Sequence, residues 1–282
     1  MNRMPSRYLS PIILTIGNLF YTGSFSLVKF FSLTVGVETI MLFRFLAGPL
    51  YLIPYFLIKK KNIKIYNLPV FLCRIFFGVT GMSCLFLSFK YGDIGKSMLI
   101  FECATIWTLL YGYFMHKEVP HKYSLFAIPF AFLGLILILK PYPVVTLQLG
   151  DALALLGSVL NAGVYISLKK LRHQHDTETI VLVTYAISAL IMLIPVLLHP
   201  PVITTLPIKG LILMCSIGFV GQLCMTLGFK FATAGVSSMF MLSIIPLTTL
   251  SGILLFNESY PSLFWVGMGL VVASLVVTAR WQ

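Results

Sequence analysis

Gly78 to Glu118 reads GVTGMSCLFLSFKYGDIGKSMLIFECATIWTLLYGYFMHKE, and Gly218 to Glu258 reads GFVGQLCMTLGFKFATAGVSSMFMLSIIPLTTLSGILLFNE. Set against each other at a spacing of 140 residues, the two stretches match without a gap, and 12 of the 41 positions are identical. Gly78, Gly81, Cys84, Phe89, Lys90, Gly95, Ser97, Gly112 and Glu118 each meet their own residue type in the second stretch. The same spacing aligns Gly17, Gly23 and Lys29 with Gly157, Gly163 and Lys169, and Glu38-Thr39-Ile40 with Glu178-Thr179-Ile180. Chance matching of apolar segments would not hold one register across glycine, lysine and glutamate positions so far apart. The chain is therefore a duplicated unit, with the halves expected at 1–145 and 146–282.

Composition says what each unit is. Of 282 residues, 59% are hydrophobic and 10% charged, against about 25% charged in a typical soluble protein. A soluble surface of this size needs more charge. One bilayer span takes about 20 apolar residues. Charges, prolines and glycines mark off ten apolar runs near 11–33, 37–58, 67–89, 95–115, 122–140, 151–168, 178–198, 207–229, 234–256 and 262–279. Ser10-Pro11 suits an N-cap followed by a first-turn proline, and Gly150-Asp151 suits the start of the sixth run. The expected fold is an all-α polytopic membrane protein with ten transmembrane helices, five in each repeat.

The net charge of +12 is not the footprint of a nucleic-acid partner. Basic residues fall in short clusters between apolar runs, such as Lys59-Lys60-Lys61 and Lys169-Lys170 with Arg172. With both termini cytoplasmic, thirteen Lys and Arg fall on the inside and five outside, the asymmetry of the positive-inside rule. The five cysteines lie in apolar runs without metal-ligand spacing and read as packing residues. No metal or cofactor is expected. The first apolar run is too long for the apolar core of a signal peptide.

A unit with an odd number of spans leaves the membrane on the side opposite its entry. The second copy is then inserted upside down relative to the first. Two inverted five-helix repeats with a site between them near the midplane are a recurring architecture of secondary transporters.

The first half carries Arg44-Phe45, Arg74, the link from Lys90 to Gly95-Lys96-Ser97, and Glu118. The second half continues with Gly235-Val236-Ser237-Ser238, Ile245-Pro246-Leu247 and Glu258. In these residues the chain resembles the drug/metabolite transporter superfamily, and within it the EamA family. The resemblance covers essentially the whole chain and implies a ten-span transporter of the inner membrane. Relatives move amino acids, nucleotide-like metabolites, vitamins and drugs, and members that take up S-adenosylmethionine share the layout. One departure is Ile106 where the second half has Pro246, which predicts that the two core helices bend differently.

Glu102 stands out, about eight residues into the fourth run. An ionisable group at that depth is costly and marks a functional site by default. It would bind a cationic group or carry a coupling proton; the alternatives are a structural pair with Arg74 or Lys96, or a protonated carboxyl bonded to a neighbouring helix. Its repeat-mate is Leu242, so the site is expected to be asymmetric. Arg44 would face a substrate carboxylate or phosphate, or equally pair with Glu38 or anchor the helix bundle. Arg74, nearer the end of its run, fits snorkelling to the headgroups; if both arginines line the cavity, an anionic or zwitterionic substrate is favoured over a cation. Asn18, Tyr21, Ser83, Asn161, Tyr165, Gln222 and Ser238 supply uncharged donors and acceptors, for substrate or as interhelical glue. Trp107 would stack on a planar substrate. Gly78, Gly81, Gly218 and Gly221 would let helices approach closely, and Pro246 would kink the ninth run beside the cavity. Glu118 and Glu258 would pair with lysines or cap neighbouring helices.

These features predict a secondary transporter of a small polar metabolite, an amino acid or an S-adenosylmethionine-like compound, working by alternating access. Its partners would be that small-molecule substrate, the lipid bilayer, and protons or a counter-metabolite; monomer and homodimer are both open. A drug or lipid exporter or flippase of the same fold is the first alternative. An intramembrane lipid-modifying enzyme is the second, but only three Asp occur, far apart. No phosphate-cradling loop for nucleotide-driven transport is found.

Overall fold

The structure, a computed structural model, describes residues 9–116, 129–130, 133–134, 136–137, 148–201 and 206–280. Among these residues every regular element is helical. The helices are α1 (Leu9–Phe31), α2 (Val37–Ile58), α3 (Leu68–Tyr91), α4 (Ile94–Phe101), α5 (Ala104–His116), α6 (Leu149–Arg172), α7 (Thr177–Leu198), α8 (Ile208–Gly228), α9 (Ala234–Met241), α10 (Ile244–Phe256) and α11 (Ser262–Arg280). Among the described residues seven stretches are long and apolar enough to cross a membrane: α1, α2, α3, α6, α7, α8, and Ala234–Phe256 taken across its turn. The chain is thus a multi-pass membrane protein. Most of the expected fifth run, 122–140, lies outside the described residues, as does Glu118.

Local sequence accounts for the helix ends. α3 starts after Asn67 in the left-handed region (φ 56°) with a proline in its first turn, both favourable to an abrupt start. α6 carries Asp151 in its first turn and Lys169, Lys170 and Arg172 in its last, complementing the helix dipole. Ser10 is no cap. It lies within α1, and its Oγ has no hydrogen-bond partner.

Packing repeats at the same spacing as the sequence. α1 packs on α8 while α6 packs on α3, and α2 packs on α7 between them. Where α1 crosses α8, a Cβ on Gly221 would lie 3.1 Å from the Gly17 carbonyl oxygen; where α3 crosses α6, one on Gly157 would lie 3.2 Å from the Gly81 carbonyl oxygen. These four glycines are two repeat-related pairs. The ammonium of Lys29 donates to the carbonyls of Phe89 (2.8 Å) and Gly92, and that of Lys169 to Phe229 (3.2 Å) and Ala232. Each bond in one set is displaced by 140 residues from its counterpart.

The core helices correct the sequence reading. The fourth run is two helices, with a break at Glu102-Cys103, and the ninth breaks at the equivalent Leu242-Ser243. In both, the chain tightens through the same bonds: Cys103 N–H to Ile100 O and Ser243 N–H to Phe240 O, each 3.2 Å, then Thr105 N–H to Glu102 O and Ile245 N–H to Leu242 O, each 3.0 Å. Pro246 therefore does not make the bend. It lies in the first turn of α10, where a missing N–H costs little. The two core helices bend alike.

Backbone groups freed by a break inside a membrane need new partners. Asn18 supplies them at the second break, its amide donating to Phe240 O (3.2 Å), Met241 O (3.1 Å) and Ser243 Oγ (2.8 Å). Glu258 behaves as a cap: its carboxylate accepts from the N–H of Ile94 (2.9 Å) and Gly95 (3.5 Å) at the start of α4, and from Tyr260. Outside the helices, Lys61 joins Asp176 (2.7 Å) and Glu178 (3.6 Å). Its ammonium holds the Asp176 carboxyl below the usual range.

The four glycines of the two expected pairs differ in role. Gly81 and Gly221 permit the helix crossings, and Gly218 makes room for Arg44, whose Nη1 would lie 2.8 Å from an added Cβ. At Gly78, a Cβ would meet nothing within 4 Å, so close packing does not require that glycine. Gly221→Val should destabilise the protein by about 1–3 kcal/mol through overpacking, whereas Gly78→Ala should leave stability unchanged or slightly raised. Thermal unfolding of the two variants in detergent checks this, and equal losses would contradict the crossing geometry.

Candidate functional site

Between the two halves lies a cavity enclosing about 710 Å³, counting the part open to the outside. Its walls follow the repeat register. Tyr21 and Asn161, Phe25 and Tyr165, Arg44 and Thr184, Phe45 and Tyr185, Met82 and Gln222, and Phe101 and Met241 are repeat-mates, and all twelve line it. The charges break this symmetry. Arg44, Arg74 and Glu102 also line the cavity, and all three come from the first half.

Glu102 reaches the cavity because the chain turns at its position, between α4 and α5. It is 1% exposed, and the Tyr165 hydroxyl donates to its two oxygens at 3.2 and 3.4 Å. Neither Arg74 nor Lys96 pairs with it: the ion pairs among the described residues are the two of Lys61 and that of Lys96 with Asp151 at 2.8 Å.

Arg44 is 1% exposed on α2. Its Cζ lies 5.4 Å from the ring centroids of Tyr21 and Phe25 and 5.6 Å from that of Phe86, distances suited to cation–π attraction. Nη1 donates weakly to Ser24 Oγ at 3.4 Å, while Nε and Nη2 have no hydrogen-bond partner. It is not paired with Glu38. Arg74 corrects the snorkelling expectation. It is 6% exposed, with Nη1 donating to Val164 O at 3.1 Å and Nε unpartnered. A neighbouring helix, not the headgroup region, receives it.

The uncharged candidates divide. Tyr21, Asn161, Tyr165 and Gln222 line the cavity. Gln222 organises one wall, accepting from Tyr21 (2.7 Å) and Tyr185 (3.5 Å) and donating to Thr226 (3.1 Å). Asn18, Ser83, Trp107 and Ser238 do not line it. Asn18 is committed to the broken helix, Trp107 donates to Ser158 Oγ at 3.2 Å, and Ser238 bonds within its own turn to Gly235 O at 2.8 Å. Ser83 is half-buried. Residues the sequence reading missed are Thr184, Tyr185 and Ser188 on α7. The repeat register held the signal for two of them, since Thr184 and Tyr185 are the mates of Arg44 and Phe45.

Comparison with known proteins follows the same division. The profile of the EamA-like transporter family matches twice, over residues 9–140 and 148–280.

The chain belongs to the EamA-like transporter family.

Among curated relatives of this EamA-like chain is the pseudopaline exporter CntI of Pseudomonas aeruginosa, in strains PAO1 and UCBPP-PA14. Each is 25% identical over 246 residues, 85% of this chain and 82% of the relative. A solved crystal structure of a protein, 14% identical, superposes with a TM-score of 0.75 over 96% of this chain and 97% of its own. At that identity the likeness concerns the fold alone.

The cavity can be tested without knowing any substrate. In a background with the five cysteines replaced by serine, Gly78→Cys and Met82→Cys should react with a small hydrophilic thiol reagent at least about tenfold faster than Ser238→Cys, since access governs thiol reactivity. Equal rates would mean that the described cavity is closed to solvent.

Proposed function

We propose that this EamA-like chain is a secondary transporter that moves a small polar, zwitterionic or anionic metabolite by alternating access between two inverted five-helix repeats. In this reading ten spans cross the inner membrane and both termini are cytoplasmic. The observation that carries it is the cavity between the halves, with three buried charges inside a membrane protein of a transporter family. Intramembrane ionisable groups facing a cavity are what substrate and ion pathways require. The broken core helices and the repeat-matched walls support exchange between two states, because each half offers the other an equivalent surface.

The arginines narrow the substrate. An amino-acid-like compound matches two guanidiniums and one carboxylate better than S-adenosylmethionine, whose sulfonium and ammonium outnumber its carboxylate. A charged cavity also fits a polar metabolite better than a lipid or a greasy drug. The exporter among the relatives favours outward movement.

Proteoliposomes carrying the wild type or Glu102→Gln, with and without a pH gradient, test the reading. The panel is neutral, basic and acidic amino acids, S-adenosylmethionine, and nucleotides. Saturable flux of at least one zwitterionic or anionic compound above empty liposomes is expected. Removing the buried carboxylate should lower it by at least about tenfold, or abolish its response to the gradient, as losing a charged contact of 1.4 kcal/mol or more implies. No flux of any compound, with scrambling of a fluorescent lipid analogue instead, would replace this reading by the flippase.

A further inference from the structure

The three charges of the cavity are held in a way that describes their ligand. Each is almost fully buried, and none is ion-paired within the described residues. An uncompensated buried charge costs several kcal/mol, and that cost is offset when a ligand brings the opposite sign. Two cations and one anion ask for two anionic groups and one cationic group.

Geometry refines the count. Three aromatic rings surround the Arg44 guanidinium at 5.4–5.6 Å, while Nε and Nη2, on one edge, make no hydrogen bond among the described residues. A guanidinium edge with free N–H groups recognises a carboxylate in its plane, through two parallel bonds. Arg74 keeps Nε free in the same way. Glu102 accepts only from Tyr165, which leaves its oxygens capacity for an ammonium.

All three side chains face one cavity. Arg74 donates to Val164 O on α6, and the Tyr165 hydroxyl of the same helix reaches Glu102, while Arg44 bonds Ser24 on α1 and packs at Gly218 on α8. Phe45, Tyr185 and Met82 line the cavity as well and suit a short carbon chain.

We propose that the cavity takes an amino dicarboxylate, a compound carrying two carboxylates and one ammonium. Its carboxylates meet the guanidiniums of Arg44 and Arg74 and its ammonium meets Glu102. This rests on the transport reading above and adds the substrate class.

The test compares labelled L-glutamate and L-2-aminoadipate with L-leucine, L-lysine, glutarate and O-phosphoethanolamine in proteoliposomes of the wild type and of Arg44→Gln. The amino dicarboxylates should move at least about tenfold faster than every other probe, one unmet charge being worth that factor or more. In Arg44→Gln the ratio of amino dicarboxylate flux to leucine flux should fall at least about tenfold. A change in that ratio separates recognition from misfolding, which lowers both fluxes together. Should Arg44→Gln fail to fold, thermal stabilisation of the detergent-purified wild type by L-2-aminoadipate, and not by leucine or glutarate, gives the same discrimination.

Leucine, lysine or O-phosphoethanolamine carried as fast as the amino dicarboxylates would overturn the substrate class and leave transport standing. Flux of all probes falling together in Arg44→Gln would also overturn it. So would the absence of both flux and stabilisation with glutamate and aminoadipate; transport itself is then decided by the broader panel.

Discussion

Where α1 crosses α8 and α3 crosses α6, the backbones come so close that only hydrogen fits between them. A Cβ on Gly17 would lie 2.8 Å from Cys224 Cβ, and one on Gly81 would lie 3.2 Å from Leu160 Cβ. In a bilayer there is little hydrophobic drive between helices, so close van der Waals approach at small residues is a main source of adhesion. The two crossings join one half to the other on both flanks of the cavity. Everything placed between them depends on that: α2 against α7, the broken core helices, and the walls that share the repeat register.

The cavity sets a second physical problem, because the membrane punishes both freed backbone and unmatched charge. The first is met within the protein, as the three bonds of Asn18 show at the turn between α9 and α10. The second is met only in part. Rings surround Arg44, a carbonyl receives Arg74 and a hydroxyl reaches Glu102, yet among the described residues none of the three has an opposite charge beside it. No described residue makes there an ion pair of the kind that joins Lys96 to Asp151.

Much of this was legible in the sequence, and the reasons are specific. The register joining Gly81 to Gly221 and Lys29 to Lys169 could be read because close approach and a buried ammonium each constrain the residue type. Glu102 could be read from the cost of its burial. The turn at Glu102 could not, since no proline or glycine marks it; the equivalent turn was assigned to Pro246, which only tolerates it. Arg74 was misplaced because length alone allows an arginine near a helix end to reach the headgroups. Which face of its helix carries Ser83 or Trp107 depends on neighbours that a single span does not encode. Those residues lie outside the cavity.

The lopsided distribution of charge has a consequence for how such a chain can be built. Two identical copies of one protein, paired about a two-fold axis, would have to present the same side chain at both equivalent places: two glutamates or none, and arginines only in pairs. Here Glu102 faces the cavity from one half and Leu242 stands at its counterpart, while Arg44 answers to Thr184 and Arg74 to Met214. Halves that differ in sequence, as these two do within one polypeptide, can carry such a charge set. Divergence between the two halves therefore gives this cavity a polarity that a symmetric pair of identical copies could not possess.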